Sequence, residues 1–578
     1  MIKSVLSMIN NTLEFFFDKL IHKEPWYKYY KDSMNIKYPD LTIYSLIEKT
    51  AKSYPFNYAY EYYGNKVTYR DFIIQIKKCA ASLIKLGVKE GDRVTICMPN
   101  TPAAIVMFYA INYIGATSSM IHPLSSSNEI LFYLNESKSK YILTIDFVYN
   151  KLMEVVDKTS VEKIIVSSVS DSMSNFKRTC YWFFTGRKNK IEKNEKAILF
   201  SKFIKMGSNY KNLTPASKKT TDEAVILYSG GTTGHPKGII LSNLNFNALA
   251  MQCCVACSDA KSGDSILAVL PIFHGFGLGV SIHTPLYIGM KVILVPDFSA
   301  RKFGGLIKKY NPSFITGVPT LYEALLKTKL NKRALSGLHS VISGGDVLKP
   351  EFKSEIDEYL KAHGSKAHVR CGYGLTECTG ACCLNPRVEY RDYSIGIPLP
   401  NMDFQIVKIG TMDRAKFMED GEICVSGPTV MKGYLNDKEE TKKVLIRHKD
   451  GKLWLHTGDI GCMDKDGFIY FKQRLKRLII SSGYNIYPNY VESIIMKLDE
   501  VENCIVVGIS HPYKEQVVKA CIVLKKNVKV TSSIKRKIKK YCENNLVRYA
   551  WPYEYEYLDE LPKTLVGKVN YKELEKKK

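Results

Sequence analysis

The chain lacks a long hydrophobic run. None of its apolar stretches reaches the roughly 18 unbroken residues that a membrane-spanning helix requires. The first apolar run is interrupted by Asn10 and Asn11, which argues against a secretory signal peptide. Acidic residues are also scarce, because 57 Asp and Glu oppose 83 Lys and Arg and leave a formal net charge of +26. We therefore expect a cytoplasmic protein whose partners are polyanionic, such as nucleotides or an anionic membrane surface.

The sequence also lacks a disulfide framework. Its 15 cysteines are odd in number and dispersed, which predicts reduced thiols. One Cys-x-x-Cys pair occurs at Cys254 and Cys257, but no second cysteine pair or histidine pair follows at the spacing of metal ligands. We interpret the pair as a helix face that carries thiols. No aromatic and basic recognition module or cysteine–histidine finger is present in the sequence, so we do not expect a nucleic-acid partner.

Residues 1–40 are interpreted as an N-terminal amphipathic extension. Apolar residues recur there at helical spacing, with charged residues between them. These apolar positions are Ile2, Leu6, Ile9, Leu13, Phe16, Phe17 and Leu20. Two interpretations stay open, because such a helix can dock on the protein's own surface or lie in a membrane interface.

The rest of the chain is too long for one hydrophobic core, since single cores stop growing near about 250 to 300 residues. Apolar strands alternate with helical patterns from about Leu41 to Asp346, which indicates layered α/β architecture. The clearest predicted strands are Arg93 to Met98, Ala224 to Tyr228, Ile266 to Leu270 and Lys291 to Pro296. A new α/β pattern begins after Gln473. We therefore assign 41–473 to a large N-terminal domain and 474–578 to a small C-terminal domain.

A polar and strongly basic stretch interrupts this alternation at about 168–212. It contains four consecutive aromatic residues at 181–184, followed by Arg187, Lys188 and Lys190. We interpret the stretch as an insertion into the N-terminal domain. A solvated excursion and a lipid contact both remain open, because aromatic residues beside basic ones also suit a membrane interface.

The most specific signal is the string YSGGTTGHPKG at 228–238. It follows a predicted strand and precedes a helix predicted to begin near Asn243. Glycines let backbone N–H groups face a phosphate, threonine hydroxyls add donors, and Lys237 supplies a positive charge. The string differs from the P-loop of GTPases, in which Gly-Lys-Ser/Thr opens the helix. It predicts a phosphate-binding loop of another kind.

This string resembles a segment of the adenylate-forming superfamily, which includes acyl- and aryl-CoA synthetases, luciferases and peptide-synthetase adenylation domains. Further segments resemble the family in the same order along the chain. They are PIFHGFG at 271–277, SGGDVL at 343–348, GYGLTE at 372–377, GEICVSGPTVMKGY at 421–434, WLHTGD at 454–459, RLKRLIISSGYNIYP at 474–488 and LPKTLVGK at 561–568. The resemblance covers the chain from about Leu41 onward. It implies an α/β fold in which a large N-terminal domain of layered subdomains carries a small, mobile α+β lid.

The resemblance also implies how ATP and Mg²⁺ are bound. The phosphate loop comprises Ser229, Gly230, Gly231, Thr232, Thr233, Gly234 and Lys237. Glu377 resembles the magnesium-binding glutamate of the family and acts with Thr232, as expected for a hard cation bridging phosphates. Tyr373 stacks on adenine beside the backbone of Gly344, Gly345 and Gly374, while Thr376 contacts the α-phosphate. Asp459 accepts hydrogen bonds from the ribose hydroxyls with Arg474 beside it.

Four residues are implied in the chemistry, namely Thr232, His274, Glu377 and Lys568. His274 resembles the histidine that lines the path of the substrate carboxylate. Lys568 matches the C-terminal lysine that bridges carboxylate and α-phosphate as charge develops. The family then rotates its lid about a hinge, for which Lys476 is the matching position, and Gly483 lines a pantetheine tunnel.

The implied reaction joins a carboxylic acid to a thiol through an acyl-adenylate. The cofactors expected are ATP, Mg²⁺ and coenzyme A, the last because no serine-bearing carrier domain follows the lysine motif. A medium or long fatty acid is favoured by the amphipathic N-terminus and the aromatic insertion. Acetate is disfavoured, because the 372–377 segment lacks the tryptophan that resembles a pocket block in acetate-activating relatives. An aryl acid, a carrier-protein acceptor and a silent membrane-associated scaffold stay open as alternatives.

Overall fold

The structure is a computed structural model. It describes residues 24–184, 191, 194–208, 213–229, 236–297, 300–481, 484–562 and 569–576. These residues divide into two compact units. The first unit contains the chain up to Phe404 with Val425–Leu455 and Asp464–Ile469, and the second contains Gln405–Cys424, His456–Met463 and the chain from Tyr470 onward. The amphipathic helix predicted over Ile2 to Leu20 lies outside the described residues.

Among the described residues, nine strands form the first sheet of the first unit. In order across the sheet they are Ile397–Pro398, Cys383–Leu384, Val369–Tyr373, Ser340–Ser343, Phe314–Gly317, Ser265–Ala268, Lys291–Leu294, Tyr58–Tyr62 and Asn65–Thr68. The six strands from Val369–Tyr373 to Tyr58–Tyr62 pair in parallel, and both edges are antiparallel. Parallel sheets are usually covered on both faces, and the strands 265–268 and 340–343 are buried along their whole length.

A second sheet of the first unit has eight strands within the described ranges. They are, in order, Gly433–Tyr434, Lys237–Ser242, Glu223–Ser229, Thr117–Met120, Arg93–Cys97, Tyr141–Ile145, Lys163–Ser167 and Ala197–Leu199. The strands from Glu223–Ser229 to Ala197–Leu199 are parallel, and the first two are antiparallel additions. The predicted strands at 93–98, 224–228, 266–270 and 291–296 are thus confirmed to within two residues at either end.

Helices cover these sheets. In the first unit the α-helices are Ile43–Ser53, Tyr69–Leu86, Pro102–Tyr113, Ser127–Ser137, Tyr149–Met153, Asn175–Phe184, Phe200–Met206, Asn243–Ala256, Thr284–Ile288, Phe303–Tyr310, Pro319–Leu326, Pro350–Ala362 and Lys438–Val444. A π-helix spans Phe276–His283. Short 3₁₀ turns lie at Pro25–Tyr29, Lys31–Met34, Asp146–Val148, Val156–Lys158, Ala300–Lys302 and Thr376–Cys378. None of the helices in the described ranges has both the length and the apolar character needed to cross a bilayer.

The second unit contains a sheet of its own. Its strands, in order, are Tyr484–Ile486, Ile479–Ser481, Glu515–Leu524 and Val501–His511, with Glu554–Leu558 paired in parallel to Glu515–Leu524. Its helices are Pro488–Ile495, Ser532–Asn545 and Tyr571–Leu574, with 3₁₀ turns at Leu475–Arg477 and Arg548–Ala550. Strands also lie where the chain changes unit, at Asp403–Val407, Gly421–Ser426, Leu453–Met463 and Ile469–Arg474, and the strand Leu445–Arg447 lies within the first unit.

The basic stretch at 168–212 is partly integral to the second sheet. Its strand Ala197–Leu199 pairs in parallel with Lys163–Ser167, and the helix Phe200–Met206 that follows buries Phe203 completely. A purely solvated excursion is therefore not what the described residues show. Sequence periodicity missed this edge because a three-residue strand is too short to display an alternation.

Two turns at the edge of the first sheet approach each other closely at Gly374. A Cβ atom added to Gly374 would lie 2.3 Å from the carbonyl oxygen of Gly380 and 2.6 Å from Cα of Ala381. The backbone N–H of Cys382 donates to the carbonyl oxygen of Tyr373 at 3.0 Å, which holds the two turns together. Glycine is therefore required at 374 by the close approach of backbone.

We predict that Gly374→Ala lowers the thermal unfolding temperature, because the added methyl group overlaps backbone that cannot turn away, at a cost of about 1–3 kcal/mol. The matched control is Gly305→Ala on the exposed face of helix Phe303–Tyr310, where an added Cβ meets nothing within 4 Å. This control should be neutral or stabilising by up to about 1 kcal/mol. Calorimetry of both variants tests the prediction, and equal shifts would contradict it.

Candidate functional site

The predicted phosphate loop joins two antiparallel strands. Ser229 ends the strand Glu223–Ser229, Lys237 begins the strand Lys237–Ser242, and the two residues are register partners. The helix Asn243–Ala256 follows directly, which confirms its predicted start, while the intervening strand was not predicted. Gly230, Gly231, Thr232, Thr233 and Gly234 lie outside the described residues. Their roles remain predictions.

Lys237 is held by two side chains from another part of the first unit. Its ammonium forms an ion pair with the Glu440 carboxylate and lies 4.9 Å from the ring centroid of Tyr434. The hydrogen bond from Lys237 lowers the pKa of Glu440 below its usual value. Lys237 and Glu440 side chains are 23% and 24% exposed, so the pair is partly shielded from water. A positive charge thus stands at one end of the loop in a defined place.

Glu377 is linked to the same group of residues. It lies in the 3₁₀ turn Thr376–Cys378, and its Oε1 accepts a hydrogen bond of 3.0 Å from the Tyr434 hydroxyl. Burial raises the pKa of Tyr434, and the neighbouring Glu377 carboxylate raises it further, so the hydroxyl stays a neutral donor at physiological pH. Tyr434 therefore bridges the predicted phosphate lysine and the predicted metal-binding carboxylate.

The chemistry of Glu377 fits a magnesium ligand. A half-buried carboxylate beside a predicted phosphate loop is the hard oxygen donor that Mg²⁺ takes together with phosphate oxygens. Its Oε2 has no hydrogen-bond partner among the described residues, whereas Oε1 accepts from Tyr434. The other predicted ligand, Thr232, lies outside those residues.

A large apolar cavity opens beside the predicted adenine residues. Gly344, Gly345, Tyr373 and Gly374 all line it, so the structure brings these four predicted residues together. The backbone N–H of Gly344 donates to the carbonyl oxygen of Gly317 at 3.0 Å, which places the turn at the sheet edge. The empty space between the lining residues, including the part that is open to solvent, amounts to about 720 Å³.

The cavity runs along the direction of the strands, from the end of the parallel sheet at which they finish to the end at which they begin. Its glycine end follows strands Ser340–Ser343 and Val369–Tyr373, at their carboxyl ends. Its other end contains Phe314, which begins its strand, and Ala260 and Met290, which precede theirs. Strands of four or five residues span roughly 13 to 17 Å. The lining side chains are almost wholly apolar, which suits a hydrocarbon tail of comparable length.

His274 and Thr376 lie near this region in different ways. His274 precedes the π-helix Phe276–His283, and its carbonyl oxygen accepts from the N–H of Leu278 at 2.8 Å. It is not one of the described residues that line the cavity, although Phe276 is. Thr376 opens the turn that carries Glu377. The roles predicted for both residues stay predictions.

In the second unit, Asp459 and Arg474 lie side by side. Arg474 Nε is 3.4 Å from Asp459 Oδ1, and the carboxylate side chain is only 3% exposed. The turn before Asp459 is fixed by Thr457, whose hydroxyl donates to the Ile423 carbonyl at 2.7 Å and accepts from the Asp459 N–H at 3.1 Å. The two residues predicted for the ribose are thus brought together.

The remaining predicted residues of the second unit are less defined. Lys476 lies exposed in the 3₁₀ turn Leu475–Arg477. Gly483 and Lys568 lie outside the described residues. Gln473 is buried, and neither polar atom of its amide has a hydrogen-bond partner in the part of the chain described.

Sequence reasoning missed Tyr434 and Glu440. Tyr434 closes the segment 421–434 that resembles the family, but no role was assigned to it. Glu440 follows Asp437, which caps the helix Lys438–Val444, so its local pattern indicates only an acidic first turn. No local signal reveals that its partner lies some 200 residues away at Lys237.

Comparisons with known proteins agree with this geometry. Residues 47–435 match the family described as AMP-binding enzyme, and residues 490–568 match the AMP-binding enzyme C-terminal domain. A long-chain-fatty-acid–CoA ligase of Bacillus subtilis is 33% identical over 554 residues, which cover 95% of this chain and 97% of that protein. A probable 4-coumarate–CoA ligase of Dictyostelium discoideum is 30% identical and covers 79% of this chain and 80% of its own.

The fold is likewise shared with solved structures. ATP-bound MatB from Rhodopseudomonas palustris superposes with a TM-score of 0.78 at 22% identity, covering 93% of this chain and 98% of that one. Family matches that together span most of the sequence, and a relative matched over nearly its whole length, lead to one assignment. The chain belongs to the AMP-binding enzyme family.

Proposed function

We propose that this protein is an ATP-dependent acyl-CoA synthetase that activates a medium- or long-chain fatty acid. The observation that carries the proposal is the apolar cavity, which begins at Gly344, Gly345, Tyr373 and Gly374 and follows the sheet to its opposite edge. A hydrocarbon tail would lie in this cavity with its carboxylate at the glycine end. The printed name of the Bacillus subtilis relative supports the same substrate class.

In the first step the substrate carboxylate attacks the α-phosphate of ATP, and pyrophosphate leaves. Lys237 and the amides of the glycine-rich loop stabilise the phosphates, and Lys568 bridges the carboxylate and the α-phosphate. Mg²⁺, held by Glu377 and Thr232, would neutralise phosphate charge when bound. Tyr373 stacks on adenine, Thr376 contacts the α-phosphate, and Asp459 with Arg474 binds the ribose. Positioning and fixed charge supply most of the catalysis in such reactions.

In the second step the thiolate of coenzyme A attacks the acyl-adenylate carbonyl, and AMP leaves. The first step forms a bond at the α-phosphorus and the second at the acyl carbonyl carbon, so the carboxyl group needs different neighbours in each. The C-terminal lid therefore rotates about Lys476 between the two steps. Lys568 then leaves the site and Gly483 lines the path of the pantetheine arm. His274 lines the carboxylate path.

A second candidate function is that of an aryl-CoA ligase. Phe276 and Phe314 line the cavity, and aromatic rings also pack against aryl acids. The Dictyostelium relative, a probable 4-coumarate–CoA ligase, points in the same direction. The two candidates differ in the acid that supports catalysis.

Acid-dependent release of pyrophosphate from ATP tests the function directly. The acids are acetate, hexanoate, palmitate and coumarate, each with and without coenzyme A. Palmitate-dependent formation of AMP and palmitoyl-CoA is expected. Preference for coumarate would move the assignment to the aryl-CoA ligase. If none of the four acids supports pyrophosphate release, the proposed function is overturned.

Lys568→Ala is expected to lose adenylate formation and to keep thioester formation from supplied acyl-adenylate. The reason is that Lys568 acts only where charge develops in the first step, where removing such a group costs on the order of a hundredfold or more in rate. Single-turnover assays of each half-reaction measure the effect. Lys572→Ala, an exposed lysine close by in the sequence, is the control and should keep both. Equal loss of both half-reactions in Lys568→Ala would exclude the two-conformation mechanism.

Ala260→Phe is expected to shift the acid preference toward shorter chains. Ala260 lines the cavity at the end remote from the glycine turns, so a phenyl ring there removes room for the tail and not for the carboxylate. Each lost methylene contact is worth about 1–3 kcal/mol, so kcat/KM for palmitate should fall at least tenfold more than that for hexanoate. Ala362→Phe, at the exposed end of helix Pro350–Ala362, is the control. An equal fall for both acids would contradict this placement of the tail.

A further inference from the structure

Residues 429–440, named here the clasp segment, touch both the predicted phosphate lysine and the predicted metal-binding turn. The segment contains the strand Gly433–Tyr434 and the start of the helix Lys438–Val444. Gly433–Tyr434 pairs antiparallel with Lys237–Ser242, with Tyr434 opposite Ile239. One short stretch of chain thus adjoins two elements that are distant in sequence.

The clasp segment holds the Glu377 turn through three hydrogen bonds. The N–H of Met431 donates to the Glu377 carbonyl oxygen at 2.8 Å. The Thr379 hydroxyl donates to the Thr429 carbonyl oxygen at 2.8 Å. The third is the bond from the Tyr434 hydroxyl to Glu377 Oε1 at 3.0 Å, the only one of the three that reaches the carboxylate itself.

The segment holds Lys237 through charge. Glu440 pairs with its ammonium while the Tyr434 ring lies beside it. Fixing a free lysine side chain costs roughly 2 kcal/mol of rotamer entropy. A partner that already holds the side chain in place lowers this cost when the phosphate binds. An ammonium has three N–H donors, so Lys237 can keep Glu440 and still donate to a phosphate. The ion pair therefore orients the Lys237 side chain and leaves N–H donors available for a phosphate.

A merely structural role does not account for Glu440. Helix Lys438–Val444 has no buried residue, so this carboxylate is not required to complete a core. Partly exposed ion pairs contribute little to stability, typically about 0–1 kcal/mol. Its neighbour Glu439, on the same helix, is 78% exposed and pairs with Lys442. Glu440 makes the same kind of pair with Lys443, so the two glutamates differ in the second partner, Lys237, which pairs with Glu440.

We propose that Glu440 and Tyr434 are positioning residues for adenylate formation, Glu440 acting through Lys237 and Tyr434 acting through Glu377. The inference rests on the proposed function and deepens it, because it assigns the clasp segment to the ATP-dependent step alone. Both residues act through a neighbour, and the thioester step, which follows the departure of pyrophosphate, does not depend on them.

The first test compares Glu440→Ala, Glu440→Gln and the control Glu439→Ala. Glu440→Ala should lower the rate of adenylation about tenfold or more, because small displacements of a charged group are costly in phosphoryl transfer. It should leave thioester formation from supplied acyl-adenylate unchanged. Glu440→Gln keeps an oxygen that accepts from Lys237 and should restore most of the rate. Equal loss in both half-reactions, no rescue by Gln, or a Glu440→Ala rate like that of Glu439→Ala would overturn the role.

The second test concerns Tyr434 and does not depend on turnover. The rise in thermal unfolding temperature caused by ATP is measured across a Mg²⁺ titration for the wild type and Tyr434→Phe. The phenylalanine variant should need several times more Mg²⁺ for the same rise, because Glu377 loses the donor that orients its carboxylate. Tyr393→Phe, an exposed tyrosine, is the control. Coincident titrations of Tyr434→Phe and the wild type would overturn this part.

The two tests separate failure of the inference from failure of the proposed function. If no acid supports pyrophosphate release by the wild type, the proposed function fails. The Mg²⁺ titration then still decides the role of Tyr434, and the ATP-induced rise in unfolding temperature of Glu440→Ala, expected to be smaller than that of Glu439→Ala, decides that of Glu440. If the wild type is active and the variants behave as their controls, only the inference fails.

Discussion

Parallel strand pairing in the first sheet is the constraint on which the candidate site depends. Strands Phe314–Gly317, Ser340–Ser343 and Val369–Tyr373 run in the same direction, so the turns that follow them meet at one edge. Parallel sheets leave their carboxyl edges open for ligands. The hydrogen bonds between neighbouring strands fix where each strand ends and its turn begins. They therefore bring together the residues of these turns, Gly344, Gly345, Tyr373 and Gly374. The same strands contribute Phe314, Thr316 and Ile342 to the lining of the cavity that begins at this edge.

A phosphate site also requires that its positive charges be held in defined positions. The chain carries a net charge of +26, and lysines alone do not make a phosphate site, because each is a flexible and strongly hydrated cation. Glu440 and Tyr434 contact the ammonium of Lys237 and restrict it to one region. In the second unit Asp459 and Arg474 restrict one another in the same manner. The chemistry implied by the family requires charge in defined places, and these pairs supply it within each unit.

Features that depend on residues close together in the sequence were predicted, whereas those that depend on residues far apart in the sequence were missed. Strands such as those at 93–97 and 291–294 were foreseen because burial selects short segments that are rich in apolar and β-branched residues. The helix start at Asn243 was foreseen as well, and Ser242 caps it with a reciprocal bond from Asn245. The edge strand Ala197–Leu199 was missed inside a basic stretch. Its place is set by pairing with Lys163–Ser167, which composition does not encode.

By itself, the sequence determined the class of this protein. Eleven residues at 228–238, followed by collinear segments to 568, resemble the adenylate-forming family. The glycines, hydroxyls and lysine of the first segment lie close together in the sequence because they serve one loop. The tertiary structure alone decided which residues meet. The apolar cavity is built from seven or more separate segments, and Glu440 reaches Lys237 across some 200 residues. Such contacts depend on the order and direction of strands in a sheet, and no local pattern of side chains contains that information.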